Sequence, residues 1–163
     1  MYLNFLSDFL AQTCQTKADL ARHVGVTNSA VSDWFKRDDM RLSTALRILD
    51  KYNCDIKFHL VKPEALRFVP YSMLNSINIS DVYIAKKRLF SLKQSILASG
   101  WTMKRTASSI GIAPETLSYY WSTDDCPISV FYKVADILGY NVIYSIDQKN
   151  DIKHIEQDMA CSK

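Results

Sequence analysis

The chain has 163 residues, 48% of them hydrophobic and 23% charged, with a formal net charge of +3. That composition is ordinary for a globular protein and excludes a disordered tail, and no run nears the roughly 18 apolar residues of a membrane span. The opening Met1-Tyr-Leu-Asn-Phe-Leu-Ser-Asp has no basic stretch and carries Asp8 early, so it does not read as a signal peptide.

Leu3, Leu6, Phe9, Leu10 and Thr13 fall at helical spacing and predict a first helix over Tyr2–Thr13. Thr16, with Asp19 three residues on, is a capping signal for a second helix over Lys17–Val24. Gly25 suits a turn that needs positive φ, and a third helix is expected from Asn28 to Lys36. Ser43 is expected to cap a fourth helix whose Leu42, Ala45, Leu46, Leu49 and Tyr52 face inward. After Asn53 the period changes from 3.6 to 2: Ile56, Phe58 and Leu60 alternate with Lys57, His59 and Val61, a short strand.

The connector over 63–80 holds Leu66, Phe68, Val69, Tyr71, Met73 and Leu74, and is expected to pack. Ser80-Asp81 then opens a helix expected to reach Ser99, with Val82, Ala85, Leu89, Leu92 and Ile96 as its inner stripe and Lys86-Lys87-Arg88 on a solvated face. A further helix follows Thr102, Gly111 makes a turn, and Pro114 occupies a first-turn position where its missing N–H costs nothing. Another helix spans Ile128–Leu138 and stops at Gly139, and a strand covers Val142–Ile146. The remainder, 148–163, is polar and expected to fray.

The two series of elements are one series written twice. At an offset of 86 residues, without a gap, Thr16–Leu60 falls on Thr102–Ile146, and Thr16, Ala21, Gly25, Ser32, Asp38, Asp39, Ser43 and Asp50 meet identical residues. Such repetition decides the fold before any other feature is read. Within each copy the pattern is that of a helix-turn-helix, which locks two helices at a steep angle so that the second enters the major groove. The crossing needs a small residue (Ala21, Ala107), and the turn needs Gly (Gly25, Gly111). The third helix buries one face: Val31, Trp34 and Phe35, matched by Leu117, Tyr120 and Trp121. Its outward stripe in the first copy is Ser29, Ser32, Asp33 and Lys36, joined by Thr27 and Asn28. In the second copy it is Glu115, Ser118, Tyr119 and Ser122.

The stretch Thr16-Lys-Ala-Asp-Leu-Ala-Arg-His-Val-Gly-Val-Thr-Asn-Ser-Ala-Val-Ser-Asp-Trp-Phe resembles the helix-turn-helix regulators of the phage repressor and Cro class. Thr102 to Trp121 looks like a diverged copy, with Thr106 where a Leu is usual. The strand closing each copy is similar to antitoxin-type members, in which a terminal strand pairs with its twin across the dimer axis. The resemblance implies a mainly α fold: two lambda-repressor-like helix-turn-helix domains (1–62 and 81–147) in pseudo-two-fold arrangement, joined by a small two-stranded antiparallel β-ribbon. It also implies that residues opening the third helix touch base edges and that the amino end of the second helix meets phosphate.

Side-chain chemistry agrees with that assignment. Asn pairs with adenine, Lys reaches guanine, Ser serves either partner, and N–H groups at helix starts suit phosphate oxygens. The expected base contacts are Thr27, Asn28, Ser29, Ser32, Asp33 and Lys36, with Glu115, Ser118, Tyr119 and Ser122 in the second unit. The expected phosphate contacts are Thr16, Lys17, Arg22, Arg37 and Arg41, with Thr102, Lys104 and Arg105. Two unequal stripes call for an asymmetric operator, and reading one face of a duplex calls for helices roughly 34 Å apart.

Positive charge leans to the first half: nine Lys/Arg against seven acids over 1–62, four against four over 89–146. Cys14, Cys54, Cys126 and Cys161 are scattered, as are His23, His59 and His154, so the reading is reduced thiols in a cytoplasmic protein, with no metal and no cofactor. No nucleophile–base pair or phosphate-cradling Gly loop points to an enzyme. The expected function is a transcriptional regulator binding double-stranded DNA as a pseudo-dimer within one chain, without a membrane partner. The alternative is an antitoxin or adaptor whose second repeat binds a protein.

Overall fold

The computed structural model describes residues 1–63 and 89–149; the chain there is mainly helical, with one two-stranded antiparallel sheet. In the first half α1 covers Asn4–Gln12, α2 Lys17–Val24, α3 Asn28–Arg37, α4 Leu42–Lys51 and β1 Cys54–Val61. In the second, α5 covers Phe90–Ala98, α6 Met103–Ser109, α7 Pro114–Thr123, α8 Ile128–Ile137 and β2 Asn141–Gln148. The expected packing of the connector, the Lys86-Lys87-Arg88 face and most of the polar tail lie outside the described residues.

Local chemistry sets the helix ends. Thr16 and Asp19 form a reciprocal capping box on α2: the Asp19 N–H donates to Thr16 Oγ1 at 3.2 Å and the Thr16 N–H donates to Asp19 Oδ2 at 3.0 Å. Thr27 Oγ1 caps α3 by accepting from the Ala30 N–H at 3.2 Å. Pro114 opens α7 with Ala113 as a cap that offers no side-chain acceptor. Eight described residues have left-handed backbone, and they fall into four pairs at the 86-residue offset: Cys14 and Gly100, Gly25 and Gly111, Asp38 and Asp124, Asn53 and Gly139. Among the described residues the two halves therefore share every left-handed position, including two where the first half uses a side chain in place of Gly.

Three sets of bonds tie the halves, and each maps onto itself under that offset. In the ribbon, Ile56 faces Ile146, Phe58 faces Tyr144 and Leu60 faces Val142. The strands run further than periodicity indicated, back to Cys54 and on to Gln148. A second, isolated antiparallel bridge joins Arg41 to Pro127, and its bonds run from the Leu42 N–H to the Cys126 carbonyl (3.0 Å) and from the Ile128 N–H to the Met40 carbonyl (2.8 Å). Neither bond asks for an N–H at position 127, which is why Pro fits there.

The third set is carried by carboxylates. Asp39 accepts from the Ser129 N–H (3.0 Å) and hydroxyl (2.5 Å), while Asp125 accepts from the Ser43 N–H (2.9 Å) and hydroxyl (2.8 Å). Each fourth helix is thus capped by the opposite half. This corrects the expectation for Ser43: the residue at the cap position is Arg41, its side chain makes no capping bond, and Ser43 is a donor to Asp125.

One hydrophobic core spans both halves. Phe58 is fully buried at its centre, with ring centroids 5.7 Å from Phe5 and 5.8 Å from Phe131. On α4 the buried residues are Leu42, Ala45, Ile48 and Leu49; Leu46 and Tyr52 are half-buried, and Ile48 supplies contact that the expected stripe omitted. Tyr132 bridges the halves by meeting Tyr2 edge-on at 5.5 Å, and burial, with the Asp38 charge adding to it, pushes its phenol up to about 12. Of the helix expected from Ser80 to Ser99, residues 80–88 lie outside the described residues; the described part, α5, has its amino-terminal cap at Leu89, whose N–H donates to Asp124 at 2.8 Å. Lys149, expected in the fraying tail, is held by its N–H to the Asn53 carbonyl at 2.9 Å and by its ammonium to Asp50 and Asp55.

Candidate nucleic-acid interface

The expected reading faces emerge on α3 and α7. Thr27, Asn28, Ser29, Ser32, Asp33 and Lys36 are all exposed, as are Glu115, Ser118, Tyr119 and Ser122. On the opposite side of each helix, Val31 and Leu117 are fully buried, and Trp34, Phe35, Tyr120 and Trp121 are half-buried against the core. Ala21 and Ala107 lie buried where α2 meets α3 and α6 meets α7, so neither helix pair needs to separate to admit a side chain.

The two faces differ in chemistry. At its start α3 presents a hydroxyl pair, Thr27 Oγ1 and Ser29 Oγ 2.9 Å apart, beside Asn28; at its end it presents Lys36 and Arg37. The second helix, α7, has no basic residue in its last turn, where Ser122 and Thr123 replace that pair. Glu115 lies in the first turn of α7, where a carboxylate offsets the positive end of the helix dipole that Ala113 leaves uncapped. Tyr119 is 55% exposed, among the most open large hydrophobic residues described.

The surrounding cations are engaged but accessible. Lys17 Nζ lies 4.2 Å from the Phe35 ring centre, Arg22 pairs with Asp19 at 3.0 Å, and Arg37 pairs with Asp33 at 3.7 Å. The Arg22 and Arg37 side chains remain 78% and 75% exposed, and ion pairs so open to solvent contribute little energy. Asp33 spends its charge on Arg37. Arg41 is drawn into the seam by Asp125 at 3.4 Å, with the Tyr120 ring 5.8 Å away. Lys36 has no side-chain partner among the described residues, which leaves it the least committed cation of this face. In the second half Thr102 Oγ1 accepts from the Arg105 N–H at 3.1 Å, and the Arg105 guanidinium stacks 4.2 Å above Trp101; Lys104 is exposed.

Two departures of the second half have local accounts. Thr106 replaces Leu20 and is fully buried, and its hydroxyl is satisfied by the Thr102 carbonyl at 2.9 Å. Trp121 replaces Phe35, and its indole N–H is buried without a hydrogen-bond acceptor among the described residues. The residues that sequence reading missed are the partners of the Asp pairs. Asp38 accepts from the Tyr2 and Leu3 N–H groups at 2.7 and 3.0 Å while Asp39 reaches Ser129 in the other half. The signal that could have found them was the shared identity of Asp39 and Ser43 with Asp125 and Ser129.

Among the described residues no group of three metal-binding side chains occurs, and no helix is long and apolar enough to cross a membrane. Comparison with protein families, with curated proteins and with solved structures finds no match for this chain.

Proposed function

We propose that the chain is a sequence-specific regulator that binds double-stranded DNA, with α3 and α7 as unequal reading helices in two helix-turn-helix units related by a pseudo-two-fold axis. The observation that carries this reading is the self-mapping set of bonds between the halves. A rotation about a two-fold axis leaves height along the axis unchanged. In this reading the exposed faces of α3 and α7 stand at one level, as a straight duplex requires of two helices entering successive turns of its major groove. Exposed Asn28, Ser32 and Lys36 supply the donor and acceptor types that discriminate base edges. Lys17, Arg22 and Arg37 supply charge for the backbone.

The test is selection of bound sites from random duplexes, followed by salt titration. A preferred sequence is expected, with log K falling against log salt by about 0.9 for each phosphate neutralised. Recovery of unselected duplexes would reject the reading.

One observation favours a second reading of α7 alone: its last turn lacks cations and its Tyr119 is open. In that reading the second unit docks a protein, as in an antitoxin or adaptor, and footprinting protects one half-site only.

A further inference from the structure

Each Asp pair sits at the carboxyl end of a reading helix. Asp38 ends α3 in left-handed backbone, φ 51°, and Asp124 ends α7 at φ 49°. Within two residues the chain then makes two attachments. The first carboxylate holds the start of the same half's first helix, through Leu3 for Asp38 and Leu89 for Asp124. The second crosses to the opposite half's fourth helix, through Ser129 for Asp39 and Ser43 for Asp125. No flexible segment separates the end of a reading helix from the seam.

A two-stranded ribbon alone would not hold the halves at one angle, because twist is large in such ribbons and no third strand among the described residues pins it. A second fastening away from the ribbon removes that rotation. The Arg41–Pro127 bridge and the flanking carboxylate bonds are that fastening. Asp125 is 8% exposed, which shields its charge-assisted bonds from competing water.

We propose that Asp39 and Asp125 are positioning residues that fix the separation of the two reading helices and so set the half-site spacing that the protein accepts. The proposal rests on the DNA-reading assignment above. One inserted base pair moves a half-site by about 3.4 Å and turns it by about 35°, a displacement that rigid halves do not follow.

The experiment uses the full chain and the sequence it selects, with zero, one or two base pairs inserted or removed at the centre. For the wild type each one-pair change is expected to weaken binding at least about tenfold, the scale of a lost base contact. For the Asp39→Ala/Asp125→Ala chain, which loses both bonds of each clamp, the penalty is expected to shrink to within about threefold, with weaker binding at the original spacing. Ser43→Ala/Ser129→Ala removes one bond from each clamp, keeps the backbone donor, and is expected to fall between; it decides the matter if the chain without the two carboxylates does not fold. Ile96→Val, which loosens the core on α5, a helix that neither clamp caps, is expected to keep the full penalty, so spacing tolerance is separated from stability. An undiminished penalty in the folded clamp variants overturns the proposal alone. A wild type that selects no sequence overturns both the proposal and the DNA-reading assignment.

Discussion

Phe58 lies opposite Tyr144 at the midpoint of the ribbon, and each occupies the position that the 86-residue offset assigns to the other. The register of the whole ladder follows from that pair. Their surroundings are nevertheless unequal. Phe58 is fully buried between Phe5 and Phe131, whereas Tyr144 is half-buried with its hydroxyl turned to Asp8.

Phe58→Ala is therefore expected to cost about 3–5 kcal/mol, and Tyr144→Ala clearly less. Urea denaturation followed by far-UV circular dichroism and by tryptophan fluorescence gives the values. Because one core serves both halves, the two signals should move together in a single transition. Separate transitions would show that the halves unfold independently.

The crossed caps carry their own cost. Asp125→Ala strips acceptors from the Ser43 N–H and hydroxyl and leaves Arg41 without its partner. A loss of about 1–2 kcal/mol is expected, the range for removing a helix cap, and Asp39→Ala should behave alike through Ser129. A midpoint unchanged by either substitution would remove the caps from the account of what joins the halves.

Cys14 stands at φ 53° where the second half has Gly100 at φ 71°. A side chain in that conformation is strained, so Cys14→Gly is expected to be neutral or stabilising by up to about 1 kcal/mol, and Gly100→Ala to destabilise by about 1–2 kcal/mol. No atom lies within 4 Å of a Cβ built at Gly100, so the second cost is conformational and not a clash. Melting temperatures of the two variants should move in opposite directions or, for Cys14→Gly, not at all.

The hydrogen bond from Thr16, with lesser help from Arg22, holds the Asp19 carboxyl below its ordinary value of 3.8. A depressed carboxyl stabilises the fold at pH above that ordinary value, and the contribution fades as pH falls through the lower folded value. Stability of the wild type and of Asp19→Asn should thus differ near neutrality and converge in acid. Parallel curves across that range would mean the box adds nothing.

On the reading faces, Asn28→Ala and Lys36→Ala should each weaken specific binding by about 10- to 100-fold and relax preference at one base position. Glu115→Ala and Tyr119→Ala separate the two readings of α7. A changed preference at the second half-site supports DNA reading there. Unchanged binding to DNA supports protein docking.

How much of this was legible depended on how far apart the interacting residues lie in sequence. The α2 capping box, the Gly25 turn and the Pro114 start are local, and the spacing of Thr16, Asp19, Gly25 and Pro114 carries them in full. The ribbon is distant: period 2 marked its two strands, and their pairing was expected from the resemblance to antitoxin-type members, not from spacing. The caps on α4 and α8 were not readable from local spacing, and their one signal was the shared identity of Asp39 and Ser43 with Asp125 and Ser129. Ser43 has the residue type and place of a local cap, and nothing within ten residues signals that its acceptor is Asp125, 82 positions away. The start of α5 was hidden for a related reason: the apolar spacing from Val82 to Ile96 runs across Leu89, and the bond that holds its N–H comes from the distant Asp124. For the reading faces, exposure followed from periodicity, but the engagement of Asp33 with Arg37 and of Arg41 with Asp125 depends on rotamers that spacing does not fix.

In an assembly of identical subunits every mutation reaches each copy of a surface at once. Here it lands on one side only. Pro114, Glu115 and Tyr119 stand where the first half keeps Asn28, Ser29 and Asp33, while Asp39 and Ser43 still have Asp125 and Ser129 as their counterparts. Fusion into a single polypeptide thus lets the outer surfaces specialise separately, and confines the obligation to stay matched to the residues that fasten one side to the other.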